Sequence, residues 1–223
     1  MGLPAPSAEI DIINMALDRM GAAPITATTQ LPFGPLMARH YAASRQQMLR
    51  QFVWHFAEAQ ATITRIRTPL FGFADEYQLP PDFIRYLRVV TETSLYGVVN
   101  VGSYRIYGRS LLMNALAWNA TPPGAGSPTV NLEYIKDEVD VTLWDPLFIN
   151  LVVLTLGVAT AFQVTKKQGV VQMLNGLLST EIPAAISING QERPPIKIQH
   201  SRGIAMRRLN QSGMWAGPIQ IVD

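Results

Sequence analysis

From Pro146 to Val164 the chain runs without a single charged side chain. A helix this long and apolar on nearly every side has two homes, the centre of a packed bundle or a lipid bilayer. Lys166 and Lys167 could anchor a membrane end. Against that, Asn150, Thr155, Thr160 and Gln163 interrupt the stretch, and the amphipathic segments elsewhere need an apolar partner to cover their faces. The segment is therefore expected to be a core helix. Asp145 is expected to cap its backbone N–H groups, and Pro146 suits the first helical position.

Two amphipathic patterns precede it. Ile10, Ile13, Leu17 and Met20 recur at helical spacing after Ser7, a candidate N-cap, and Gly21 and Pro24 supply a stop. A second helix is expected from about Pro35 to about Ala57. Tyr41, Arg45, Met48, Leu49, Phe52 and Phe56 form its inner stripe, with Arg39, Gln46, Gln47 and Arg50 outside. The period then shortens. Residues 61–67, 76–79, 85–91, 95–101, 104–107 and 130–135 are rich in β-branched and aromatic side chains and are separated by Gly, Pro and Asn. Asn100 to Ser103 suggests a hairpin tip, and Asn119 to Pro128 an exposed loop. After the apolar helix, a last helical segment from Lys166 towards Ile182 is expected, weakened by Gly169, Gly176 and Pro183.

These patterns predict an α+β fold. A helical bundle is built from the N- and C-terminal segments (1–58 and 139–192), with a small antiparallel β domain (59–138) inserted between them and an extended C-terminal arm (193–223).

A chain of 223 residues, 48% hydrophobic and 15% charged, is globular in composition and long enough to bury a sizeable core. With no cysteine, it has no disulfide framework, thiol nucleophile or thiolate metal site, which fits assembly in a reducing cytosol. Residues 1–8 lack the basic start and apolar run of a signal peptide, so export by that route is not expected. His40, His55 and His200 stand in separate segments, and there is no nucleophile elbow or phosphate-binding loop. Glu133, Asp137, Glu138 and Asp140 could hold a divalent cation, but carboxylates just before a helix start are favoured by its dipole. No catalytic residue, cofactor or metal is expected.

The C-terminal arm is unusual. Arg193, Lys197, Arg202, Arg207 and Arg208 stand against a single acid, Asp223, and Ile196, Ile198, Met206, Leu209, Met214 and Trp215 are scattered among them without period. Such a segment either stays solvated or becomes ordered against a partner, its apolar residues filling pockets and its arginines meeting carboxylates. Nucleic-acid binding through phosphate contacts is a third reading.

Several blocks resemble phage head-to-tail adaptors related to tail tubular protein A. They are Ile12-Ile13-Asn14-Met15-Ala16-Leu17-Asp18-Arg19-Met20-Gly21 with Pro24-Ile25; Tyr41 to Arg45; Val53-Trp54-His55-Phe56-Ala57; Tyr77 to Arg85 with Leu87-Arg88-Val89; and Trp144 to Phe148. Their order and spacing match from residue 9 to about residue 192, with a departure at Pro183, where relatives tend to show a longer Ala- and Glu-rich helix. The resemblance implies a subunit of a ring, dodecameric by expectation, beneath the portal of a filled capsid. DNA would pass through the ring without sequence-specific binding, and no membrane would be involved. On this reading Ile196, Ile198, Arg202, Met206, Arg207, Arg208, Leu209 and Trp215 contact the portal protein. Tyr104, Arg105, Tyr107 and Arg109 contact the tail nozzle or tube protein.

Overall fold

Helix α1 (Glu9–Met20) forms where its apolar stripe falls, with Ile12, Ile13, Ala16 and Leu17 fully buried. It ends at Gly21, whose φ of 71° is left-handed, so the stop expected there is built from the residue that tolerates it best. The computed structural model describes residues 8–70, 72–90, 104–113 and 129–191. The expected hairpin tip at 100–103, the strand at 95–101 and the loop at 119–128 lie outside them, as does Ser7. Beyond α1, the Asn14 side chain clamps Ile25 from both sides: its amide donates to the Ile25 carbonyl at 2.9 Å and its oxygen accepts from the Ile25 N–H at 2.8 Å.

Helix α2 (Gly34–Gln51) is shorter than its apolar spacing suggests. Phe52 is already extended, and the indole N–H of Trp54 turns back onto the Met48 carbonyl at 3.1 Å, satisfying one of the acceptors that a helix end leaves open. A single 3-10 turn, His55–Ala57, then leads into the sheet. Entry to α2 is equally tight. A methyl group on Gly34 would lie 2.5 Å from the Thr28 carbonyl oxygen, a backbone atom that cannot step aside. Gly34→Ala is accordingly expected to cost about 1–3 kcal/mol, read as a lower urea midpoint at unchanged slope.

Strands β1 (Glu58–Arg67), β2 (Asp75–Gln78), β3 (Phe83–Val90), β4 (Tyr104–Tyr107), β5 (Ser110–Met113) and β6 (Thr129–Lys136) form one antiparallel sheet in the order β3-β6-β1-β2-β5-β4. One face gathers Ile63, Tyr77, Leu79, Val89, Leu111, Met113, Val130, Leu132 and Tyr134 into a core of its own. The other carries polar cross-strand pairs such as Gln60 with Glu133 and Thr62 with Asn131. Strand β5 lacks a clear signal in the sequence. It is joined to β4 by the two-residue turn Gly108-Arg109, with φ of 58° at Gly108 and no left-handed φ at Arg109, which is a type II′ hairpin.

Helix α3 (Pro146–Thr165) is the expected core helix. Asp145 accepts from the Leu147 N–H at 2.7 Å, and Phe148, Ile149 and every residue from Leu151 to Gly157 are buried. Among the described residues it alone is long and apolar enough to cross a membrane, by length and composition. Helix α4 (Gln168–Gln191) corrects the expected stop at Ile182: it continues through Pro183, with Leu174 and Ala185 buried on its inner side. Two bonds hold its last turn. The Asn189 amide donates to the Val53 carbonyl at 2.6 Å, and His55 Nε2 lies 3.0 Å from the Asn189 carbonyl, which can only accept, so Nε2 carries the hydrogen. The fold is thus α+β, with a helical layer and a β domain between its halves. The chain divides into two compact units, Met1–Asn189 and Gly190–Asp223; of the second, Gly190 and Gln191 are described.

Candidate functional site

Twist and curl bring the two outer strands of the sheet towards each other. The rings of Tyr86 on β3 and Tyr104 on β4 stack with centroids 4.2 Å apart, although five strand pairings separate them in the sheet order. Between these edges lies a cleft of about 720 Å³, bounded by the Leu79–Tyr86 segment, by Tyr104, Ile106 and the hairpin turn, and at its far end by Gln46, Arg50 and Asp137.

Arginines supply its charge. Arg109 donates to the carbonyls of Pro80 and Pro81 at 3.3 and 2.8 Å. Arg85 donates to the carbonyls of Arg50 and Gln51 at 3.4 and 3.2 Å, covering the open end of α2, and Arg50 donates in return to the Ile84 carbonyl at 3.0 Å. None of the three reaches a carboxylate within ion-pair distance among the described residues. The two acids at the cleft are already engaged. Asp82 accepts from the Tyr134 hydroxyl at 3.0 Å. Asp137 takes a two-pronged contact from Arg45, at 2.9 and 3.0 Å, and a third bond from Gln46 at 2.8 Å.

The residues expected to face the tail divide by strand alternation. Tyr104 and Arg109 border the cleft, whereas period-two geometry turns Arg105 and Tyr107 to the opposite face. All four are exposed, Tyr107 at 73%. Tyr86, Arg85 and Arg50 complete the site without having been singled out by the sequence. Arg85 closes the Pro80-Pro81-Asp82-Phe83-Ile84-Arg85 block, whose paired prolines were its available signal. Ile196, Ile198, Arg202, Met206, Arg207, Arg208, Leu209 and Trp215 lie outside the described residues.

The acidic group before α3 is spent piecemeal. Glu133 pairs with Arg88, Asp137 with Arg45 and Glu138 with Lys136. Asp140 caps the short 3-10 turn Val141–Leu143 ahead of α3, accepting from the Thr142 N–H and hydroxyl, which hold its carboxyl below the usual range. The start of α3 itself is capped by Asp145. No cluster of metal-ligating side chains occurs among the described residues.

Burial is the first cause that pushes Tyr86 upward in pKa, with Tyr104 adding to it. Burial also raises Tyr41, Tyr77 and Tyr134 to about 12 each, with Asp75 contributing at Tyr77 and the bond to Asp82 at Tyr134. An unfolded tyrosine ionises near pH 10, so the stability these groups contribute is complete below pH 10 and is lost as pH climbs through about 12. Phenolate absorbance at 295 nm should therefore rise in two phases, the later one coinciding with unfolding. Seven tyrosines titrating together and reversibly near pH 10 would contradict this.

No family model matches the chain, and no curated protein matches it.

Proposed function

We propose that the chain is a head-to-tail adaptor subunit of a tailed bacteriophage. It assembles in the host cytoplasm into a ring beneath the portal, carries the DNA channel onward and stays in the virion at the head–tail interface. It is a structural part, without a catalytic step.

One observation carries this reading: the blocks behind the family resemblance, far apart in sequence, pack on one another. Phe148 sits 5.1, 4.9 and 5.0 Å from the ring centroids of Trp54, Phe56 and Trp144, and Trp144 stacks on Tyr41 at 6.5 Å. Asn14 grips Ile25 within the first block. Residues that match a family pattern because they build its fold are expected to meet in this way. Side-by-side packing of subunits is supported by apolar side chains left partly open on the helices, among them Phe162 and Met173, 54% and 51% exposed. In the ring, the C-terminal arm reaches the portal and the β4 hairpin faces the tail component.

Sedimentation tests the reading. The purified protein, alone and mixed with its cognate portal ring, is compared with a form truncated after Pro195. Co-sedimentation with the portal by the full chain and not by the truncated one is the expected result. Failure of the full chain to join the ring overturns the adaptor reading, and equal binding by both forms overturns the arm's role.

A further inference from the structure

The geometry points to the cleft between β3 and β4 as a docking site for an extended, carboxylate-bearing segment of a partner protein, laid as an added strand along β4. The inference rests on the cleft alone and goes beyond the adaptor reading.

Among the described residues, strand β4 pairs with β5 and with no second strand. In a two-residue hairpin the closing pair, here Tyr107 and Ser110, is hydrogen-bonded, and bonding then alternates along the ladder. The N–H and C=O groups of Ile106 and Tyr104 consequently point to the open edge, where a strand of another chain can pair with them. Their side chains, 40% and 46% exposed, give that strand an apolar and aromatic surface to lie on.

The charge sets the chemistry of the occupant. Arg50, Arg85 and Arg109 each bond backbone carbonyls and no carboxylate among the described residues, while the nearby acids Asp82 and Asp137 already have partners. A guanidinium carries five donors, so each arginine retains N–H groups for an incoming carboxylate. A strand presents alternate side chains to one face, so carboxylates at every second position can meet arginines while the backbone pairs with β4. A nucleic acid would satisfy the arginines but has no peptide backbone to pair with the edge. The inner faces of Tyr86 and Tyr104 are closed against each other and offer no platform for a base.

Fluorescence anisotropy on the full chain tests this with three labelled probes: a decapeptide of alternating Glu and Thr, its Gln-for-Glu counterpart, and a twelve-nucleotide oligothymidylate. The Glu peptide should bind about tenfold more tightly than the Gln peptide, a difference of the size that charge-assisted bonds supply. Arg50→Gln combined with Arg109→Gln should remove that preference. Ile106→Pro, which deletes an edge N–H and leaves the β4–β5 ladder its bonds, should weaken both peptides together. Circular dichroism and thermal melts select variants that keep the fold, and Arg85→Lys replaces any that do not, with a partial loss of the Glu preference expected because an ammonium cannot make the forked contact. Equal binding of the two peptides, no binding of the Glu peptide, or tighter binding of the oligonucleotide would overturn the proposal. A chain that joins the portal ring yet ignores the Glu peptide would sink this inference and leave the adaptor reading standing.

Discussion

Asp137→Ala should lower the stability of the fold by about 3–5 kcal/mol, the cost of leaving a buried charge without its partner. The Arg45 side chain is only 8% exposed and sits over the Tyr41 ring at 5.8 Å, with both of its bonding nitrogens directed at Asp137. Arg45 stands on the inner stripe of α2, so water has little access to its charge. The pair also joins two layers: Arg45 belongs to the helices, and Asp137 follows β6, its N–H donating to the Asp82 carbonyl at 2.7 Å. Asp137→Asn, which keeps the shape and part of the bonding, should cost less. Removing both charges together, with Arg45→Met and Asp137→Leu, should recover much of the loss, since desolvation cancels most of what a buried pair gains. Urea unfolding of the four proteins decides the matter. A single-variant cost below about 1 kcal/mol would mean that the pair behaves as an exposed one.

The second large effect is expected at Phe148. It is fully buried and meets three aromatic rings within about 5 Å, so Phe148→Ala removes both hydrophobic burial and edge-to-face contacts, costing about 3–5 kcal/mol. Phe148→Leu keeps most of the volume and should cost no more than about 1.5 kcal/mol. Near-ultraviolet circular dichroism should lose its Trp54 and Trp144 signal in the alanine variant before far-ultraviolet signal falls. If the two signals fell together at the wild-type midpoint, the ring cluster would not be the keystone of the helical layer.

The helices and most strands were legible because burial imposes a period, and the period survives in the sequence. Ile12, Ile13 and Leu17 at one end and the unbroken apolar run of α3 at the other left little freedom. Helix ends were less legible wherever a distant group decides them. The stop of α2 depends on the Trp54 indole reaching Met48 and on Arg85 arriving from β3, and neither is visible within the helix. The end of α4 misled in the opposite sense. Pro183 reads as a breaker, but a helix packed through Leu174 and Ala185 and fastened at Asn189 can absorb one missing bond. Of the four residues singled out around the aromatic strand and its turn, Tyr104 and Arg109 border the cleft. Tyr86 and Arg85 were not, since their proximity to β4 is produced by the curl of the whole sheet. Glu133 and Asp137 looked like members of one group for a similar reason: sequence shows neighbours along the chain, whereas their partners Arg88 and Arg45 come from β3 and α2.

The fastening of α4 has a mechanical side. Asn189 grips Val53 and His55, and His55 Nδ1 lies 3.4 Å from the Glu58 carboxylate at the first residue of β1. Tension applied beyond Gln191 is thereby delivered to the short link between α2 and β1, where the helical layer meets the sheet, instead of peeling α4 away turn by turn. A tug at that end of the helix would be felt first at the seam between the two layers, which makes the seam the place where strain entering through the helices would pass to the sheet.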